Sequence, residues 1–108
     1  MKSKIRSTEL EEALLEATDH GLLALGEIVR QTIYERAERS YEVKKDEIPQ
    51  NLERFHKALQ GLLGAGAKVI ERQIARNLYG RLGLNFIAHH DWTIVEYVND
   101  AKRMHGGA

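Results

Sequence analysis

The chain is 108 residues long, 43% apolar and 30% charged, and its 16 basic and 16 acidic side chains leave a formal net charge of zero. A chain of this length forms one domain and can bury a core unaided; the charge balance excludes a generally basic nucleic-acid protein, and the single proline and short polar breaks argue against a disordered tail. No cysteine is present, which excludes disulfides, thiol nucleophiles and cysteine-ligated metal centres.

Residues 1–6 read as a loose basic lead, and MKSKIRSTELEE turns acidic without an apolar segment, unlike a signal peptide. No apolar run approaches the roughly 20 residues of a membrane span, so a cytoplasmic setting is expected. Thr8 with Glu11 fits a capping box. Leu10, Leu14 and Ala17 then mark one side of a first helix ending near Asp19-His20-Gly21. A second helix runs from about Gly21 to Tyr41. Leu22, Leu25, Val29 and Ile33 fall on a narrow arc of it, and Ile28 widens that arc. Gly26 on the same face would let another helix approach. An arc this wide suits a homodimer, with Leu22, Leu25, Gly26, Ile28, Val29 and Ile33 as its face.

YEVKKDEIPQN follows as a polar connection, in which Pro49 disfavours helical geometry at Ile48. Asn51 suits the N-cap of a third helix carrying Leu52, Phe55, Leu59, Leu62 and Leu63 on one side. Gly64 and Gly66 end it and open a fourth. There Ile70, Ile74, Leu78 and Leu82 recur every four residues, and Gly83 stands where a left-handed C-cap belongs. Leu84 and Phe86 should cover the end of the bundle. Asp91 suits the cap of a fifth helix with Ile94, Val95, Val98 and Ala101 inward and Trp92 packed at its start, before residues 104–108 fray. The fold class is all-α: a compact bundle of about five helices in a single domain.

Few stretches carry chemistry. GAGAK (Gly64–Lys68) has glycines before a helix, as phosphate-binding loops do, but Val69 stands where a third glycine or a Ser/Thr is needed, and a leucine-rich helix precedes it instead of a strand. His89-His90-Asp91 holds ligand-type side chains, yet adjacent helical residues point about 100° apart. His20 and His105 are isolated, and His56 borders an apolar stripe, which suits an edge residue with a hydrogen bond. No catalytic, cofactor or metal residue is expected. The clearest positive signal is the far side of the fourth helix, where Lys68, Arg72 and Arg76 form a row with Tyr79 in the same arc. Residues 67–90 hold those three cations and Arg81 against Glu71 alone. Arginine with an interleaved aromatic can hold phosphates and stack on a base, which makes nucleic acid the alternative to a protein partner.

Leu25–Tyr41, Asp46–Leu59, Gly64–Leu84 and Ile94–Val98 together resemble a small archaeal family, the Nitrosopumilus-type output domain. Gly64, Gly66, Lys68, Tyr79 and Gly83 match positions of its pattern. The resemblance implies a helical signalling module, found alone or beside receiver domains, with no catalytic residues to carry over. The function expected is thus a non-enzymatic output module acting through protein–protein interaction, with a nucleic-acid-binding regulator as the alternative.

Overall fold

The computed structural model describes residues 2–106 as α1 (Lys2–Leu23), α2 (Glu27–Tyr41), a 3-10 helix (Lys45–Gln50), α3 (Leu52–Leu63), α4 (Gly66–Arg81) and α5 (Ile94–Gly106). No strand occurs among these residues, so the bundle is all-α as its periodicity requires. The expected fraying of Met1 and of Gly107 and Ala108 lies outside the described residues. Residues 2–6 and 104–106 are helical.

α4 lies against α1, α3 and α5, and its seam with α1 is the most extensive in the molecule. Its buried positions, Ala67, Ile70, Glu71, Ile74, Ala75, Leu78 and Tyr79, form a broad stripe. Leu10, Leu14, Ala17, Phe55, Leu59, Ile94, Val98 and Ala101 are buried beside them, as their spacing predicts, and Leu82 is half-buried. Each large aliphatic taken out of water contributes roughly 1.5–3 kcal/mol.

The structure redraws the first half of the chain. Thr8 lies within α1 and not at its start. Gly21, read as a boundary, lies within α1 at its closest approach to α4: a Cβ there would stand 2.6 Å from Ile74 Cγ1. The break falls at Gly26 instead, at φ 100°, with open space around it. Gly26 therefore turns the chain and admits no neighbouring helix. The apolar arc expected on one helix is divided between two. Leu22 on α1 and Ile33 on α2 enter the core, Leu25 is half-buried in the turn, and Ile28 and Val29 remain outside.

α2 rests on α3 and α1. Asp19 of α1 fastens it, accepting from Arg30 Nη1 at 2.8 Å and from the Tyr34 hydroxyl at 3.0 Å, with Lys45 Nζ at 3.8 Å. The segment after α2, expected to be only a polar connection, buries Val43 and Ile48 and contains the 3-10 helix through Pro49. Asn51 precedes α3 as expected, but its side chain donates back to the Glu47 carbonyl and caps nothing.

Gly83, at φ 70°, ends α4 as expected. The Leu84 N–H returns to Tyr79 O and the Gly83 N–H to Gly80 O, the paired bonds of a Schellman turn. Phe86 stands edge-on to Tyr79, and Trp92 edge-on to Tyr97 while stacked on His89 at 3.6 Å. The Tyr97 hydroxyl accepts from the His89 N–H at 2.8 Å and donates to the His89 carbonyl at 3.1 Å. These contacts lay the connection across the end of α4 and bring Trp92 beside α5.

Candidate functional site

α3, α4 and the start of α5 leave a cleft of about 270 Å3 between them, lined by His56, Gln60, Gly64, Ala65, Ala67, Lys68, Glu71, Trp92 and Thr93. Its floor is chemical. Glu71 is only 2% exposed. Its Oε2 lies 2.6 Å from His56 Nδ1 on α3, and its Oε1 accepts the Ile94 N–H at 3.1 Å. One carboxylate thus joins three helices and satisfies the first free amide of α5. Burial pushes the Glu71 carboxyl above its ordinary range, and Glu96 adds to the rise. The His56 hydrogen bond and charge and the Ile94 N–H oppose it.

Thr93 completes the mouth. It precedes α5, and its Oγ1 accepts the Val95 N–H at 3.2 Å while Glu96 Oε1 takes both the Thr93 N–H and its hydroxyl. This is a capping box beside the Ile94 N–H that Glu71 holds. It takes the place expected of Asp91, which is exposed. The hydrogen bonds to Thr93 hold the exposed Glu96 carboxyl below its ordinary range.

The basic row is only partly as expected. Lys68 and Arg76 are exposed and Arg72 half-buried. None of the three closes an ion pair within 4.0 Å among the described residues. Arg76 instead lies over the Phe86 ring, 5.2 Å from its centroid. Tyr79 does not belong to that surface. It is 2% exposed, and its hydroxyl donates to Asp100 Oδ2 at 2.6 Å with the Tyr97 carbonyl 2.8 Å away. It shares an arc with Lys68 and Arg72, but it lies nearer the C-terminal end of α4, where α5 and Phe86 close over that arc.

The six residues of the expected dimer face are likewise dispersed. Leu22 and Ile33 are core, Gly26 is the turn, and the exposed part is Ile28 at 82% and Val29 at 40%, joined by Leu23 at 44%. His56, expected to hold a hydrogen bond at the edge of its stripe, does so. Glu71, Gln60 and Thr93 were not anticipated. Glu71 could have been found from the spacing of Ala67, Glu71, Ala75 and Leu78, which runs beside the row traced through Ile70 and places a carboxylate on the buried face. Among the described residues no group of three His, Asp or Glu is placed to hold a metal ion, and no helix is long and apolar enough to cross a membrane.

No family model, curated protein or solved structure matches this chain.

Proposed function

We propose that the chain is a non-enzymatic cytoplasmic regulatory module that binds a small molecule between α3, α4 and α5 and passes the bound state on through protein contacts. The observation that carries this reading is the buried Glu71–His56 pair on the wall of the cleft. Burying a carboxylate costs stability unless its partners replace water, and ionisable pairs in a concave site are where binding chemistry concentrates. At about 270 Å3 the cleft lies just under the usual range for ligand pockets, which suits a metabolite. The one hydroxyl on its wall, Thr93 Oγ1, is engaged in the α5 cap, which favours binding over covalent chemistry. Transmission through α5 follows from Glu71 holding its first amide. The resemblance to an output domain agrees with such a role.

The test is a thermal-shift screen of metabolites, read in parallel by the fluorescence of Trp92, the chain's one tryptophan. A ligand at 100 times its Kd stabilises by about 2.7 kcal/mol. Gln60→Phe, at an exposed position on the cleft wall, should abolish the response without unfolding the chain. A blank screen, or hits indifferent to that substitution, would remove the reading.

A second reading, self-association, is favoured by one observation: the exposed aliphatics Leu23, Ile28 and Val29 gather where α1 turns into α2. The nucleic-acid alternative keeps Lys68, Arg72 and Arg76 but has lost the stacking ring of Tyr79.

A further inference from the structure

Resting on the cleft as a ligand site, the arrangement of its polar groups also specifies what enters. Glu71 is already engaged through both oxygens, Oε2 by His56 and Oε1 by the Ile94 N–H, and is too buried to reach outward. The side chains of the lining that keep a polar group for a guest are Lys68, through its ammonium, His56, through its second ring nitrogen, Gln60 and Trp92. Lys68 has no acidic partner within 4.0 Å among the described residues. The remaining wall, Gly64, Ala65, Ala67 and the Trp92 ring, is apolar. One fixed cation beside a pair that is neutral overall once it holds its second proton matches a single negative charge, and the small residues and indole suit a flat apolar body.

We infer that the cleft takes a small organic monocarboxylate and that binding draws one proton from solvent onto the His56–Glu71 pair. The proton count follows from the geometry. With one proton between Nδ1 and Oε2, His56 Nε2 carries a lone pair, which repels a carboxylate. A carboxylate is accepted only when Nε2 bears hydrogen. That occurs as an imidazolium beside the Glu71 carboxylate, or as the Nε2–H tautomer beside a neutral Glu71 acid. Both states hold one proton more than a pair whose Nε2 is bare. Of the groups bearing on the pair, the Ile94 N–H lowers the proton affinity of Glu71 and the positive charge of Lys68 acts in the same direction, so the guest's own negative charge has to favour the added proton. Glu96 from α5 and burial both raise the proton affinity of Glu71, Lys68 from α4 supplies the fixed positive charge, and Gln60 from α3 is uncharged.

Titration calorimetry with benzoate, from pH 6 to 8 in Bis-Tris and in Tris, tests this. Benzamide and benzylammonium serve as neutral and cationic controls. Benzoate affinity should fall about tenfold per pH unit once the free pair has lost its extra proton, and the heat should differ between the two buffers at one pH. His56→Gln should leave weak binding without pH dependence. Lys68→Gln, at an exposed site that leaves the core untouched, should cut affinity about tenfold and keep the pH slope. Equal heats with pH-independent affinity, or tighter binding of benzylammonium, would overturn the inference. If the metabolite screen gives cleft ligands but no carboxylate among them, this inference falls alone; if the screen is blank, both fall.

Discussion

A carboxylate on an apolar helix face is tolerated only when protein groups take over the bonds that water would make. Glu71 has an imidazole and a helix-start amide for that purpose, and burial still pushes its carboxyl above the ordinary 4.5. Between that value and the native midpoint, the folded chain therefore binds more protons than the unfolded one. Stability falls as pH rises across this window and is level above it. Glu71→Gln keeps an acceptor for Ile94 and removes the titration. In urea titrations from about pH 4 to 7, the wild-type chain should lose stability relative to this variant as pH rises; a constant gap would contradict the assignment. Of this site the sequence disclosed His56 as a hydrogen-bonded edge residue, but not its partner. Glu71 comes from another helix 15 residues away, and only the crossing of α3 with α4 brings the two together.

At the scale of elements, α1 and α4 meet over Gly21. Replacing it by Ala would gain about 1 kcal/mol of helix propensity. The new methyl would stand 2.6 Å from Ile74 Cγ1, a branched side chain with no exposed surface. Overpacking of this kind costs roughly 1–3 kcal/mol, so Gly21→Ala should be net destabilising, seen as a lower urea midpoint. A gain in stability would mean that the seam is looser than described. The same residue shows why the first boundary was misread. A glycine that punctuates and a glycine that admits a neighbour look alike in one dimension, and the distinction lies in what crosses over it. Periodicity, by contrast, is a property of the element itself, so the inward faces of α3, α4 and α5 were legible. The cap of α5 was legible too, in Thr93-Ile94-Val95-Glu96, and Asp91 drew attention from it.

For the whole molecule, the exposed aliphatics at the α1–α2 corner bear on assembly. Ile28 at 82% exposure has no role in its own core. If it seals a homodimer, light scattering at micromolar concentration should return twice the 12.3 kDa chain mass, and Ile28→Lys should halve it. A monomer for both would end the dimer reading while leaving the cleft untouched. The apolar arc read on one helix was only partly legible from the sequence, because a turn at Gly26 divides what looked like one helix and sends Leu22 and Ile33 inward.

The attachment of α2 through Asp19 has a consequence of its own. That carboxylate is about one-third open to solvent and gathers Arg30, Tyr34 and Lys45, whereas the join of α1 to α4 is made of buried aliphatics. Dissolved ions screen the former and hardly touch the latter. Added salt therefore slackens the outer layer while the inner pair stays taut, and the molecule loosens from its rim toward its middle.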